Sequence, residues 1–209
     1  GLTEASALVT LAHVELGVDG EVLRGRTIGR VLDGMELGVR GEDGSDLAVD
    51  EIGEFVIRGP NVMAGYYNAP EANAEVFDRG WLRTGDLGYI DPGGYAIIVD
   101  RKKDVIIRGG QNIYPADIEE ALYQMKDVAE AAVVGAPDHI LGEVPVAFVA
   151  PVPGASLSGE AILHHLQQHL ARFKLPARVS ILPELPKGPT GKILRRALRQ
   201  ESQPSGAMR

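Results

Sequence analysis

Short apolar runs separated by turn residues mark the first hundred positions of the chain. The runs are rich in β-branched side chains, and Gly, Asp and Pro lie between them, a pattern typical of β-strands. They include Thr27-Ile28, Phe55-Val56-Ile57 and Ala96-Ile97-Ile98-Val99, with turns at Asp43-Gly44 and Asp91-Pro92-Gly93-Gly94. One short helix is predicted over 70–77, because Pro70 suits a first helical turn. This part is predicted to be mostly β.

Extended and helical patterns alternate in the second half of the chain. Strands are predicted at 105–107, 131–134, 144–150 and 179–182. Helices are predicted from Pro115, whose following acidic residues suit the positive end of a helix, after Ser158, and from about Lys192. The middle helix is predicted from the helical spacing of Leu163, Leu166, Leu170 and Phe173. Residues 204–206 are predicted to form a frayed tail. The predicted fold class is α+β.

The charge of the chain is distributed unevenly. Residues 1–100 carry 7 basic and 18 acidic side chains, whereas residues 101–209 carry 14 basic and 11 acidic ones. All six lysines lie in the second part, beginning at Lys102. This asymmetry favours two units, 1–100 and 101–209, over a chance distribution within one domain.

Composition excludes several classes of protein. The 209 residues include no Cys, which excludes a disulfide scaffold, a Cys-ligated zinc site and a thiol nucleophile. No apolar run approaches the ~18–20 residues of a membrane span, and the N-terminus lacks a signal-peptide pattern. The net charge of −8 argues against broad nucleic-acid binding. We therefore expect a cytoplasmic globular protein without a membrane span and without a nucleic-acid partner.

Two segments in the first part carry candidate ligand-binding groups. The hydroxyl and carboxylate of Thr3-Glu4 could hold a phosphate oxygen and Mg²⁺, and a helix cap formed by Thr3 is the alternative. In Thr84-Gly85-Asp86, the glycine permits close approach of a ligand, and the carboxylate could accept hydrogen bonds from both hydroxyls of a ribose. An ordinary turn is the alternative for this second segment.

Two further segments combine basic residues with glycine. The charged run 100–104 precedes Gly109-Gly110, and the paired glycines indicate a loop whose backbone lies close to something, although a solvated linker is the alternative for the charged run. Lys192 ends a Gly- and Pro-containing loop and could present its charge to a phosphate or carboxylate, with a basic surface helix end as the alternative. His164, His165 and His169 lack a matching carboxylate and are interpreted as structural or solvent-facing.

These segments occur together in an order that resembles the C-terminal part of the adenylate-forming enzymes, the superfamily of acyl-CoA synthetases, luciferases and peptide-synthetase adenylation domains. The resemblance covers residues 1 to about 199. It rests on residues 1–4, Gly53-Glu54, Arg58-Gly59-Pro60, Gly65-Tyr66-Tyr67, Thr84-Gly85-Asp86, 101–104, Gly109-Gly110 and 189–192. It implies a β-rich end of a large N-terminal domain, 1–100, followed by a small mobile α+β lid domain, 101–209.

The resemblance also implies a role for each matching position. Thr3 would contact the α-phosphate of ATP, and Glu4 would hold Mg²⁺. Asp86 would bind the ribose hydroxyls, with Arg101 near the same ribose. The remaining roles are a hinge at Lys103, a tunnel for the thiol arm lined by Gly109 and Gly110, and support of adenylation by Lys192.

The expected activity is that of a carboxylic acid:CoA ligase using ATP, Mg²⁺ and coenzyme A, of the acyl-CoA synthetase type found in fatty acid metabolism. The Gly80-Trp81 pair and the 110–115 segment favour this branch. Loading of an amino or aryl acid onto carrier-protein phosphopantetheine, and a non-catalytic binding fragment, are the alternatives. The family's phosphate loop does not occur in these residues, so the expected partner is the N-terminal part of the same enzyme, without which the chain is expected to be inactive. Asp100 replaces a glycine common in the family, without an expected effect.

Overall fold

The computed structural model describes residues 1–13, 18–19 and 27–203. The predicted tail at 204–206 lies outside these residues. The chain forms two compact units, Gly1–Lys103 and Asp104–Arg209. Both combine strands with helices, so the predicted α+β class is confirmed. No helix in the described part of the chain has the length and apolar character needed to cross a membrane.

The first unit is built on one mainly antiparallel sheet. Its strands are β1 (Thr10–Leu11), β2 (Thr27–Val31), β3 (Glu36–Arg40), β4 (Gly53–Arg58), β5 (Phe77–Asp78), β6 (Trp81–Ile90) and β7 (Ala96–Arg101), and its helix is α1 (Pro70–Val76). The strand order is β1-β2-β7-β6-β4-β3, with β5 pairing with β6. The Asp91–Tyr95 turn joins β6 to β7 and is closed by a hydrogen bond from the Gly94 N–H to the Asp91 carbonyl (2.8 Å), so the turn predicted at 91–94 is confirmed.

Strand β4 is buried on both sides of this sheet, and alternate side chains face opposite cores. Ile57 packs in a cluster with Leu82, whereas Phe55 packs in a second cluster with Val39 and Ala96. Burial on both faces explains why the sequence here is a continuous apolar run rather than an alternating one. The sheet is therefore held firmly where β4 and β6 pair.

The second unit is a five-stranded sheet with helices. Its strands are β8 (Ile106–Arg108), β9 (Gln111–Ile113), β10 (Val128–Asp138), β11 (Gly142–Pro151) and β12 (Arg178–Ile181), and its helices are α2 (Pro115–Tyr123), α3 (Gly159–His169) and α4 (Arg195–Ser202). The strand order is β10-β11-β8-β9, and β12 also pairs with β11, in the parallel direction. Helix α3 is the crossover connection that a parallel pair requires.

The hairpin of β10 and β11 supplies the centre of the second unit. Val133 and Val149 face the cluster formed with α2 and α3, whereas Val134 and Phe148 face the cluster that includes Leu198 of α4. Both faces of the hairpin are therefore buried. Helices α2 and α3 cover one set of alternate side chains, and helix α4 covers the other set.

Two predictions about helices are wrong in detail. Helix α4 begins at Arg195 rather than near Lys192, because a tight turn uses the preceding backbone groups. Helix α3 ends at His169, before Leu170 and Phe173, and its buried residues are Ile162 and Leu166. Of the residues predicted to form its apolar face, only Leu166 is therefore buried in the helix.

Candidate active site

The predicted ribose-binding segment lies inside strand β6 as a bulge. The register on its two sides is Glu54 with Leu87 and Val56 with Arg83. Only Phe55 therefore lies opposite the three residues Thr84-Gly85-Asp86. Gly85 has a φ of +73°, a backbone conformation that favours glycine. The Thr84 hydroxyl donates to the Phe55 carbonyl (2.9 Å) and accepts from the Asp86 N–H (3.1 Å). The segment is a fixed bulge within a strand, so the ordinary-turn alternative is wrong.

Asp86 and Arg101 are neighbours across β6 and β7. They are register partners, and Arg101 Nε donates to Asp86 Oδ1 at 3.0 Å. The Asp86 side chain is 24% exposed and that of Arg101 is 57% exposed. A carboxylate has about four acceptor positions, so one N–H leaves capacity for the two hydroxyls of a ribose.

A depression of about 360 Å³ adjoins this pair. Its lining consists of Thr84, Gly85, Arg101, Lys102 and Lys103. Arg101, Lys102 and Lys103 are cations, whereas residues 1–100 of the same unit carry more acidic than basic side chains. Such a concentration of positive charge in an acidic unit favours an anionic ligand there.

The charged run at 101–104 is not a solvated linker. Lys102 Nζ forms an ion pair with Glu54 Oε2 (3.0 Å), and Asp104, only 6% exposed, forms one with Arg199 (2.6 Å). Lys103 is exposed in a single 3₁₀ turn, Lys102–Asp104, and the two units divide directly after it. The run is thus a short turn fixed by ion pairs on either side of Lys103.

Glu54 contributes to this region, although the sequence indicated it only as part of the Gly53-Glu54 motif and gave it no role. Its carboxylate is buried and accepts hydrogen bonds from Arg83, Lys102 and the Gly85 N–H. Burial raises the pKa of Glu54, but the hydrogen bonds from Arg83 and Lys102 outweigh it and hold the pKa below its ordinary value. A carboxylate within the apolar run 53–57 is the signal that could have identified it.

Thr3 and Glu4 lie on a 3₁₀ turn, Thr3–Ala5, packed against another segment of the first unit. Leu2 occupies the position before the turn and no side chain caps it, so the alternative of a helix cap formed by Thr3 is wrong. The Tyr66 hydroxyl donates to Glu4 Oε1 at 2.8 Å, and this hydrogen bond raises the pKa of Tyr66. Tyr66, which the sequence analysis quoted without assigning a role, therefore orients the Glu4 carboxylate.

Gly109 and Gly110 form the two-residue turn between β8 and β9. Their φ values are +56° and +81°, as a type I′ hairpin turn requires. The Gly109 N–H also donates to the Leu141 carbonyl at 2.7 Å. A Cβ added at Gly110 would have no described atom within 4 Å. The turn geometry alone therefore explains both glycines, and the side-chain position at Gly110 is open.

Lys192 lies at the end of a tight turn that precedes helix α4. The turn is closed by hydrogen bonds from the Gly191 N–H to the Gly188 carbonyl (2.9 Å) and from the Gly188 N–H to the Lys192 carbonyl (2.8 Å). The Lys192 side chain is exposed, and its ammonium forms no ion pair with the described residues. Since helix α4 begins three residues later, Lys192 is presented by a turn rather than by a helix end.

Two ion-paired side chains fix the base of this turn. On one side, Lys187 pairs with Glu130 of β10, which lowers the pKa of Glu130, and with Glu184 (3.2 Å). On the other side, Arg195 forms a bidentate pair with Glu119 of α2 (2.6 and 2.8 Å). The turn is therefore attached to the body of the second unit, while Lys192 forms no ion pair within the part of the chain that the structure describes.

The histidines of α3 show no arrangement for a metal ion. His165 Nε2 lies 2.9 Å from the Ala121 carbonyl, and His164 and His169 are exposed. Among the described residues, no group of three or more His, Asp or Glu side chains could hold a metal. The half-buried Glu4 carboxylate fits a Mg²⁺ ion held by one protein carboxylate and substrate phosphates.

The structure thus groups the predicted residues within each unit. Asp86 and Arg101 form one site with Lys103 beside it, and Thr3 and Glu4 lie on another segment of the first unit. Gly109, Gly110 and Lys192 belong to the second unit.

Two family models match the chain. The model described as AMP-binding enzyme matches residues 1–67, and the one described as AMP-binding enzyme C-terminal domain matches residues 117–192. The chain belongs to the adenylate-forming enzymes. The order of the two matches is the order of the two units along the chain.

Several curated relatives of this adenylate-forming chain are CoA ligases. It is 40% identical over 204 residues to 3-[(3aS,4S,7aS)-7a-methyl-1,5-dioxo-octahydro-1H-inden-4-yl]propanoyl:CoA ligase of Rhodococcus jostii (strain RHA1), covering 97% of this chain and 37% of the relative. It is 42% identical over 200 residues to 2-succinylbenzoate–CoA ligase of Bacillus cereus (strain Q1), covering 96% and 40%. The chain therefore spans about two fifths of the length of these relatives.

Solved structures show the same fold. o-Succinylbenzoate CoA synthetase (MenE) from Bacillus subtilis, in complex with the acyl-adenylate intermediate OSB-AMP, matches with a TM-score of 0.85 and 36% identity over 95% of this chain and 40% of that chain. ATP-bound MatB from Rhodopseudomonas palustris matches with a TM-score of 0.86 and 36% identity, covering 96% and 39%.

Proposed function

We propose that these residues act as the C-terminal part of an AMP-forming carboxylic acid:CoA ligase. In the first step the acid carboxylate attacks the α-phosphorus of ATP, which gives acyl-AMP and pyrophosphate. In the second step the thiol of coenzyme A attacks the acyl carbon, and AMP leaves. The observation that carries the proposal is the Asp86–Arg101 pair on a fixed bulge beside a cationic depression, in a chain similar to CoA ligases over nearly its whole length.

The first unit would hold the nucleotide. Asp86 accepts hydrogen bonds from the ribose hydroxyls, and Arg101 orients that carboxylate. Thr3 donates its hydroxyl to the α-phosphate. Glu4, oriented by Tyr66, would hold Mg²⁺, which offsets the charge of the phosphates when bound.

Lys192 would support the first step. Carboxylate and triphosphate are both anionic, and bringing them together requires positive charge at the reacting phosphorus. An exposed ammonium on a turn with a fixed base meets this requirement, because the charge is available and its attachment point does not move. No protein nucleophile is needed, which agrees with the absence of Cys.

The second step would use a different arrangement of the two parts. In this proposal, 1–100 is the end of the large domain, 101–209 is the lid, and Lys103 is the hinge between them. The position of Lys103 in a single turn, directly before the division of the chain, supports this role because few dihedral angles need to change. Gly109 and Gly110 would line the passage for the thiol arm, which the open side-chain position at Gly110 supports.

The acid is proposed only as a carboxylic acid that a CoA ligase activates. The names of the two curated relatives contain a bicyclic propanoyl group and succinylbenzoate, so a ring-bearing acid is as good a candidate as the fatty acid expected from the sequence. A cytoplasmic location accords with the use of ATP and coenzyme A.

The test is acid-dependent exchange of pyrophosphate into ATP by a full-length enzyme that carries these 209 residues. A panel of acids that includes 2-succinylbenzoate and a straight-chain fatty acid is supplied, followed by free coenzyme A or a phosphopantetheinylated carrier protein. We expect exchange with at least one acid and thioester formation with free coenzyme A. No exchange with any acid would refute adenylation, and transfer only to the carrier protein would refute the CoA ligase assignment.

A further inference from the structure

Glu54 contacts both the bulged segment before Asp86 and the residue after Arg101. It does not itself line the depression beside Asp86. It is only 7% exposed, in the strand β4 that pairs with the bulged strand β6. Its two carboxylate oxygens accept from different partners. Oε1 accepts from the Gly85 N–H at 3.2 Å, and Oε2 accepts from Arg83 and Lys102 at 2.7–3.0 Å.

Each of these partners is a covalent neighbour of a ribose-site residue or of the bulge that carries one. Gly85 directly precedes Asp86, and Lys102 directly follows Arg101. Arg83 is the last β6 residue paired with β4 before the bulge. The single carboxylate of Glu54 therefore connects the backbone of Gly85, next to Asp86, to the side chain of Lys102, next to Arg101.

The bulge makes this connection necessary. A bulge interrupts the ladder of a strand pair and leaves backbone groups without ladder partners. In β6 the Gly85 N–H is such a group, and Glu54 supplies its acceptor. Charge-assisted hydrogen bonds to a carboxylate are stronger than bonds between neutral groups, so they hold the bulge more firmly than strand pairing alone would.

We propose that Glu54 is a positioning residue that sets the relative placement of Asp86 and Arg101 for the ribose. The inference rests on the proposed function, since it assumes that Asp86 binds the ribose hydroxyls. Glu54 acts through Gly85 on one side and through Lys102 on the other, and it does not touch the nucleotide.

The substitution Glu54→Gln tests this role with nearly no change of shape. An amide in place of the carboxylate retains one acceptor oxygen, but its NH₂ group would face the donors that Oε2 now accepts from. At least one side of the connection is then lost. The matched control is Glu36→Gln, because Glu36 of β3 also forms a bidentate pair with an arginine, Arg58 (2.6 and 2.8 Å), in the same sheet.

The measured quantity is the ratio of affinities for AMP and 2′-deoxy-AMP, by calorimetric titration of the full-length enzyme that carries these residues. Thermal melts accompany each titration. A hydroxyl bound to a carboxylate predicts a preference for AMP of about tenfold or more in the wild type. We expect Glu54→Gln to reduce this preference to below about threefold, and Glu36→Gln to leave it unchanged. A purely structural role of Glu54 would lower the melting temperature without changing the ratio.

The outcomes separate this inference from the proposed function. An unchanged ratio in Glu54→Gln, or an equal loss in Glu36→Gln, overturns the positioning role. If the wild type binds AMP but does not distinguish it from 2′-deoxy-AMP, the assignment of Asp86 to the ribose fails, and the inference fails with it. If Glu54→Gln does not fold, Lys102→Gln replaces it, because the Lys102 side chain is 45% exposed, and the same result is required of it.

Discussion

The two lysines beside the turn of 188–191 provide a direct test of the first reaction step. Lys192 is exposed and unpaired among the described residues, whereas Lys187 is paired with Glu130 and Glu184. The change is Lys192→Ala, with Lys187→Ala as the matched control, since each removes one ammonium from the same turn. The comparison separates Lys192, whose charge is available to a ligand, from Lys187, whose charge forms ion pairs within the protein.

The size of the effect follows from Coulomb's law. An ammonium ~4 Å from a developing unit charge is worth roughly 4 kcal/mol at an effective dielectric of about 20. Part of this stabilises bound ATP as well, so the expected loss in the rate of acyl-AMP formation is about 10²–10³-fold, similar to the removal of one oxyanion donor. Lys187→Ala removes a partly exposed ion pair at the base of the turn, and we expect it to slow the same step less than about fivefold.

The two half-reactions are assayed separately in the full-length enzyme that carries these residues. Pyrophosphate release reports the first, and conversion of supplied acyl-AMP to thioester reports the second. The second should be nearly intact in Lys192→Ala, because a neutral thiol approaching an activated acyl group does not bring two anions together. Equal slowing of both steps, slowing of neither, or equal losses in the two lysine variants would show that Lys192 is a surface residue without this role.

Two further predictions concern Gly110 and Glu54. Gly110→Asn keeps a residue that tolerates positive φ but adds a side chain, so we expect thioester formation from supplied acyl-AMP to slow about tenfold or more while acyl-AMP formation changes less than about twofold. Gly94→Asn, at φ +77° in the turn between β6 and β7, is the control, and equal effects of the two variants would contradict a passage at Gly110. Because the folded-state pKa of Glu54 is lowered, its stabilising contribution is present above its ordinary pKa and is lost as the pH falls through the folded value. The melting temperature of the wild type should therefore exceed that of Glu54→Gln most near pH 7, with the gap shrinking below about pH 4; a gap that is constant or widens in acid would contradict this.

Local sequence signals predicted the elements whose cause is local. Pro70 and Pro115 start helices α1 and α2 as expected, because a proline in the first turn loses no intrahelical hydrogen bond. The continuous apolar runs correspond to strands β4 and β10, which are buried on both faces. The resemblance to the adenylate-forming enzymes required several short motifs in one order, and each motif alone was compatible with an ordinary structural role.

The features that the sequence did not predict depend on contacts between distant residues. The bulge at Thr84-Gly85-Asp86 exists only relative to the register of β4 on β6, about thirty positions away. Helix α4 begins late because the Leu194 N–H donates to the Pro186 carbonyl, and this competes with the helix-forming preference of the basic segment. Glu54 could not be given a role because its partners come from strand β6 and from the turn after β7.

Both units hold the residue with the proposed role in the same physical way. Asp86 and Lys192 each lie on a short irregular segment, a bulge or a turn, that regular hydrogen bonding alone does not fix. In each case carboxylates from neighbouring elements pair with cations at the base of that segment, with Glu54 in the first unit and Glu119 and Glu130 in the second. A buried carboxylate that loses its cation is strongly destabilised, so the pairs of Glu54 and Glu119, whose side chains are 8% and 13% exposed, resist displacement, whereas the more exposed pair of Glu130 contributes less. The free energy that fixes each segment therefore resides in residues other than Asp86 and Lys192, which keep hydrogen-bonding capacity for a ligand. Substitutions at Glu54 and Glu119 should consequently affect the placement of Asp86 and Lys192 before they affect the overall fold.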